Sequence, residues 1–100
     1  MSERSDKMIN KGTSELKDFA LTFARLIAGL AVDPHGYFEL KYTARIERAE
    51  SAEEINGVVA QLVQWVASSA MSDSDRDRIN RELDERGMPD IKSLRLHYLP

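Results

Sequence analysis

The sequence predicts a small, mainly α-helical domain, and three observations support this. Residues 55–72 contain no charged side chain, although 31% of the chain is charged. Apolar residues in several segments recur at three- and four-residue steps, which is the period of an amphipathic helix. Serine, threonine or aspartate precedes these segments, where such residues cap helices. We therefore expect one helical domain over residues 13–100, built from four helices (about 14–31, 34–49, 52–70 and 73–86) and a short C-terminal segment.

The first helix follows residues 1–12, whose polar composition is typical of a flexible tail. Thr13 or Ser14 is placed to cap it, and acidic residues in its first turn suit the helix dipole. Asp33-Pro34 interrupts its pattern. The predicted buried stripe consists of Leu16, Phe19, Phe23, Leu26, Ile27 and Leu30.

The second segment fits two structures. A helix that starts at Asp33-Pro34 would place four apolar residues on one face, namely Phe38, Tyr42, Ile46 and Ala49. The stretch from Phe38 to Ile46 also alternates strictly between apolar and polar residues, as a half-buried strand does. We favour the helix. The alternative is an α+β domain in which residues 37–47 pair with residues 93–99.

The third helix is the predicted core element, and a Ser51-x-x-Glu54 capping box introduces it. The last helix is capped by Ser72 or Ser74 and ends before Gly87. The apolar residues of the C-terminal segment indicate that it docks on the domain. The expected inward-facing residues of the two helices are Ile55, Val58, Val59, Leu62, Val63, Val66, Ala70, Ile79 and Leu83.

Composition narrows the classes of function. The chain has no cysteine, which removes disulfides and thiol chemistry and suits a reducing compartment. The start of the chain has no apolar signal region, so we expect a cytoplasmic protein. Residues 55–72 contain too many polar residues to form a membrane span. With 14 basic and 17 acidic residues, the net charge of −3 argues against nucleic acid as the main partner.

Candidate catalytic and metal-binding patterns are weak. Asp73-x-Asp75-x-Asp77 resembles the start of a calcium loop, but the glycine, apolar residue and glutamate that should follow are replaced. These acids fit a helix N-terminus better. His35 and His97 have no evident partner in the sequence, and no Gly-x-Ser-x-Gly elbow or phosphate-binding loop occurs. We predict no enzyme activity, no metal and no cofactor.

The remaining hypothesis is protein binding. Trp65 falls about 100° from the middle of the buried arc of its helix, next to Gln61, and tryptophan is over-represented in binding hot spots. Aromatic and apolar residues in the short flanking segments extend the same hypothesis. The predicted partner contacts are Trp65, Gln61, Tyr37, Phe38, Leu96 and Tyr98.

These observations predict a small non-enzymatic regulatory or adaptor protein, such as an inhibitor, an anti-activator or an antitoxin-like protein. Its apolar surface is large for so thin a bundle, which favours a homodimer. The alternative is a DNA-binding transcriptional regulator in which residues 74–98 form a helix-turn-helix that carries Lys92 and Arg95.

Overall fold

The computed structural model describes residues 13–30, 36–68 and 71–99. These residues form five helices and the turns between them. The helices are α1 (Thr13–Leu30), α2 (Tyr37–Arg48), α3 (Ala52–Ala67), α4 (Asp73–Glu85) and α5 (Ile91–Tyr98). No β-strand occurs among these residues. The predicted mainly α fold is confirmed, with the C-terminal segment forming a short fifth helix. The residues assigned to the N-terminal tail, 1–12, lie outside the described part of the chain.

The α+β alternative is wrong, because residues 37–47 lie in α2 and most of residues 93–99 lie in α5. The reason is the spacing of the residues of α2 that are buried. Phe38, Tyr42 and Ile46 recur every four residues and pack against the core, whereas Leu40, which belongs to the same alternating set, is 68% exposed. Burial therefore follows the helical period and not the strand period.

Three helices start at side-chain caps. The Ser51 and Ser72 hydroxyls each accept the backbone N–H three residues later, at 3.2 Å, and the Asp90 carboxylate accepts the corresponding N–H at 2.9 Å. The capping box of α3 is only half formed, because the Glu54 carboxylate accepts the N–H of Glu50 at 3.4 Å and not that of Ser51. Each cap satisfies a backbone donor that the helix itself leaves unpaired.

Two helix ends differ from the prediction. Helix α2 begins at Tyr37, because Gly36 adopts a left-handed conformation (φ 64°) and becomes the N-cap without a side-chain hydrogen bond. The expected cap, Asp33, lies outside the described residues. Helix α3 ends at Ala67, where the Ser68 hydroxyl donates to the Trp65 carbonyl at 2.6 Å. This side-chain bond competes with continuation of the helix.

The core lies between α1 and α3. Helix α3 contacts α1, α2 and α5, while α1 also contacts α2 and α4. No helix within the described ranges is long and apolar enough to cross a membrane. The predicted inward faces of α1, α3 and α4 are confirmed, except that Leu26 and Leu30 of α1 are only partly buried and that Ala70 lies outside the described residues. The buried residues of these three helices are Leu16, Phe19, Ala20, Phe23, Ala24, Ile27, Ile55, Val58, Val59, Leu62, Val63, Val66, Ile79 and Leu83.

Polar side chains fix α4 between its neighbours. The Arg76 guanidinium donates to the carbonyls of Val66 and Ser68, both at 3.0 Å, and so caps the C-terminal end of α3. The Asn80 side-chain carbonyl accepts the backbone N–H of Ile91 at 2.8 Å, which holds the start of α5. These bonds satisfy backbone groups that would otherwise be left at helix ends.

A Schellman motif ends α4. Gly87 has a φ of 68°, its N–H donates to the Asp84 carbonyl at 3.0 Å, and the next N–H donates to the Leu83 carbonyl at 2.9 Å. A residue with a Cβ is strained in this conformation, which explains the glycine. Gly57, in contrast, lies inside α3, where a Cβ would meet no atom within 4 Å.

Alanine should therefore have opposite effects at these two glycines. We expect Gly57→Ala to raise the free energy of unfolding by about 0.5–1 kcal/mol, because alanine favours a helix interior. Gly87→Ala should lower it by about 1–2 kcal/mol through left-handed strain. Urea unfolding followed by circular dichroism measures both. Changes of the same sign in the two variants would contradict the assignment of the α4 end.

Candidate functional site

The predicted contact residues lie on two opposite sides of α3. Trp65 faces α2, whereas Asn56 faces α5, and these residues are nine positions apart, or about 180° around the helix. The structure brings Phe38, Gln61 and Trp65 together on the α2 side. Leu96 and Tyr98 belong to the other side. Tyr37 lies on the outer face of α2, where it is 76% exposed.

An aromatic cluster forms where α2 meets α3. The ring of Phe38 lies 4.6 Å from that of Tyr42 and 5.2 Å from that of Trp65, centroid to centroid. All three side chains are partly buried against the core. Trp65 is thus covered on one side by its own chain, and the remaining part of its ring is open to solvent. Packing of this kind fixes the ring orientation before any partner arrives.

The open side of Trp65 belongs to a shallow surface depression that we call the α2–α3 groove. It is lined by Tyr42, Gln61, Gln64, Trp65 and Ser68. Tyr42 comes from α2 and the other four residues come from α3 and its C-cap. The sequence prediction contained Trp65 and Gln61 but missed Tyr42. The signal was present, because Tyr42 is four residues after Phe38 and so lies beside it on the helix.

Arg45 closes one end of the groove. Its guanidinium donates to the Gln61 side-chain carbonyl at 2.6 Å and lies 5.7 Å from the centroid of the Tyr42 ring. Beyond it, a second depression continues between α2 and α3 and includes Arg48 and Glu54. The sequence prediction also missed Arg45. Its hydrogen bond spans 16 positions, and no local pattern reports such a pair.

Positive charge borders the groove on the α2 side. The Lys41 ammonium lies 5.6 Å from the Tyr42 ring centroid, so that Lys41 and Arg45 both contact this ring. Neither cation forms an ion pair with any residue that the structure describes. The chain as a whole has a net charge of −3, so the charge of this edge is opposite in sign to the total.

The α5 side of α3 is held by one hydrogen bond. The Tyr98 hydroxyl donates to the Asn56 side-chain carbonyl at 2.9 Å, and burial raises the pKa of Tyr98 to about 12. Tyr98 therefore attaches α5 to α3. Leu96 is 75% exposed. The polar residues of α5 around it are exposed as well. At the start of α5, the backbone N–H of Ser93 lowers the pKa of the Asp90 carboxyl.

Helices α4 and α5 have the connectivity of a helix-turn-helix, with residues 86–90 between them. Lys92, Arg95 and His97 are exposed on α5. The acids at the start of α4 face solvent or pair locally, since the Asp73 carboxylate accepts from Arg76 at 2.8 Å. Within the described residues, no group of three or more metal-ligating side chains comes together.

No family model matches this chain, and neither the curated proteins nor the solved structures include a significant match. We therefore interpret its surfaces from the residues that form them.

The raised pKa of Tyr98 predicts a pH-dependent contribution to stability. The folded state holds this proton more tightly than the unfolded chain, so stability is lost as the pH rises above the ordinary tyrosine value of 10 toward 12. We expect the difference in unfolding free energy between wild type and Tyr98→Phe to be constant below pH 9.5 and to shrink above pH 10. Urea unfolding at a series of pH values measures this. A constant difference up to pH 11.5 would contradict the buried hydroxyl.

Proposed function

We propose that this protein is a small non-enzymatic regulatory or adaptor protein that binds another protein, as an inhibitor, an anti-activator or an antitoxin-like protein. The proposed contact surface is the α2–α3 groove. The observation that supports it is the placement of Trp65, which is anchored on one side by Phe38 and open on the other. Tryptophan, tyrosine and arginine, the residue types most enriched in binding hot spots, all occur here.

The arrangement of the groove also favours binding on energetic grounds. Ordering a flexible side chain on binding costs about 0.5–1.5 kcal/mol, and rings that are already packed avoid most of this cost. Trp65 and Tyr42 are held by Phe38, and Arg45 is held by Gln61. The groove therefore presents aromatic area and hydrogen-bonding groups in fixed positions.

We also propose a cytoplasmic homodimer. The reducing compartment fits a chain without cysteine. Dimerisation is supported by the outer face of α2, where Tyr37 and Leu40 are 76% and 68% exposed and lie one helical turn apart. Tyr42, which lines the groove from α2, lies about 160° around the helix from Leu40, so a second copy centred on Leu40 would leave the groove accessible.

Site-specific photo-crosslinking in cells that express the protein tests both contacts. We place the photoreactive amino acid p-benzoylphenylalanine at Gln64 in the groove, at Tyr37 on the outer face, or at Asp84 on α4 as an exposed control. Gln64 should give a discrete adduct with another protein that weakens at least tenfold when Arg45→Glu is added. Tyr37 should give a product of twice the chain mass. Asp84 should give neither.

Two results would count against these proposals. Equal adducts from Gln64 and Asp84, or none from Gln64, would remove the groove as a contact surface. A Tyr37 derivative that never yields a doubled mass would remove the dimer. Because the three positions are exposed, circular dichroism of each purified derivative should match that of the wild type.

A DNA-binding regulator is the second candidate, and it is supported by α5. The eight residues of α5 include Lys92, Arg95 and His97 and no acid, and they follow α4 through a short turn, as in a helix-turn-helix. The charge of α4 works against this candidate. That helix has six acidic residues and three arginines, a composition that repels a phosphate backbone.

A gel-shift assay with a mixed-sequence duplex at about 50 mM salt separates this candidate from the first, because weak phosphate contacts persist at low salt. If α5 binds DNA, the band should be retarded by the wild type and by Lys41→Gln/Arg45→Gln, but not by Lys92→Ala/Arg95→Ala. The weakest non-specific DNA binding has a Kd of about 100 μM. If the duplex stays unbound at every protein concentration up to that value, this candidate is removed.

A further inference from the structure

We infer that the α2–α3 groove accepts a short, extended segment of a partner protein that carries an acidic side chain and an apolar side chain two residues apart. This inference rests on the proposed protein-binding function and adds the chemistry of the partner. It follows from the positive charge on the α2 side of the groove, the orientation of Arg45, and the amide groups on the α3 side.

The border of the groove is positively charged, although the chain as a whole has a net charge of −3. None of its five lining residues is charged, and the nearest cations, Lys41 and Arg45, both contact the ring of Tyr42. No described residue forms an ion pair with either of them. A carboxylate placed over this edge would meet two cations and no lining acid. Complementary charge of this kind selects an acidic partner and speeds the encounter.

Arg45 is oriented for such a carboxylate. One of its N–H groups donates to the Gln61 side chain at 2.6 Å, and its guanidinium packs near the Tyr42 ring. A guanidinium has five N–H donors in a planar fork, so the bond to Gln61 leaves donors for a carboxylate. Charge-assisted bonds from arginine to a carboxylate are about twice as strong as neutral ones.

The α3 side of the groove suits an extended backbone. Gln64 carries a side-chain amide with the same donor and acceptor groups as a peptide bond, and the Gln61 amide keeps its N–H donors while its carbonyl accepts from Arg45. The helix rises about 10 Å from Gln61 to Ser68, a length that matches roughly three residues of extended chain. The segment recognised in the groove is therefore short.

The aromatic rings of the groove explain why the second side chain of the motif is apolar. Trp65 and Tyr42 contribute the ring surface of the groove, and Lys41 and Arg45 lie beside the Tyr42 ring. Side chains of an extended segment alternate in direction, so residues i and i+2 both point into the groove. One of them meets the cations and the other meets the rings. Nucleic acid also combines negative charge with flat bases, but two cations on a chain of net charge −3 favour a single carboxylate over a polyanion.

The experiment is selection from a random hexapeptide display library on the purified full chain. The wild type is compared with Lys41→Gln/Arg45→Gln and with the matched control Lys92→Gln/Arg95→Gln, which removes the same charge from exposed positions on α5. The wild type and the control should enrich peptides with Asp or Glu two residues from an apolar residue. The groove variant should lose this enrichment while keeping the wild-type circular dichroism spectrum.

A direct titration follows, because Trp65 is the single tryptophan of the chain and its fluorescence reports on the groove. The best enriched hexapeptide should change this fluorescence, with a Kd about tenfold higher for the groove variant and unchanged for the α5 control. Replacement of its acidic residue by Gln or Asn should weaken binding by a similar factor. An oligouridylate at about 0.15 M salt should leave the fluorescence unchanged.

The outcomes separate this inference from the proposed function. Neutral peptides that bind equally to the wild type and the groove variant would overturn the acidic motif, and a Gln64 crosslink in cells would then still support protein binding. A failure to enrich any peptide would also overturn it. Tighter quenching by the oligouridylate than by the peptide would replace the inference with nucleic-acid binding. Absence of any Gln64 crosslink from the otherwise wild-type chain would remove the groove as the contact surface of the proposed function.

Discussion

The structure depends on the burial of one face of α3. Six of its aliphatic side chains are buried, four of them with no measurable exposure, and they form the surface on which α1, α2 and α5 pack. Burial of each such side chain contributes about 1.5–3 kcal/mol, which is large against a total stability of about 5–15 kcal/mol. The absence of charge from residues 55–72 is what permits three neighbours to pack against this one helix.

This burial also determines where functional surfaces can be. Because α2 and α5 pack on opposite edges of α3, the aromatic residues at these edges acquire different roles. On the α5 edge, Tyr98 is attached to Asn56 and serves the packing of the short last helix. On the α2 edge, Phe38 covers only part of Trp65, so the groove remains open beside it. The proposed binding surface thus lies where a buried face meets an incompletely covered ring.

The C-terminal half is organised by polar bonds as much as by apolar packing. Helix α4 buries only Ile79 and Leu83, yet its Arg76 and Asn80 satisfy backbone groups at the end of α3 and at the start of α5. Such bonds are directional, so they set the position of α4 more narrowly than two apolar side chains could. The surface of α4 therefore stays rich in charge without loosening the fold.

The sequence by itself determined the features that depend on neighbours along the chain. These are the inward faces of α1, α3 and α4, the cap at Ser51, the choice of Ser72 or Ser74 as the cap of α4, and the glycine at the end of α4. Each is a pattern of three to seven residues, and the geometry of one helix is enough to interpret it. Trp65 was placed correctly at the edge of a buried face for the same reason.

Only the tertiary structure decided between helix and strand for α2. Phe38, Tyr42 and Ile46 fit both the helical and the alternating pattern, and packing against α1 and α3 buries them as one face of a helix. It also decided which residues surround Trp65. Arg45 meets Gln61 across 16 positions and Tyr98 meets Asn56 across 42, and both contacts exist because α3 holds its neighbours at fixed angles. Contacts between residues far apart in the chain depend on that packing, which no local pattern of residues encodes.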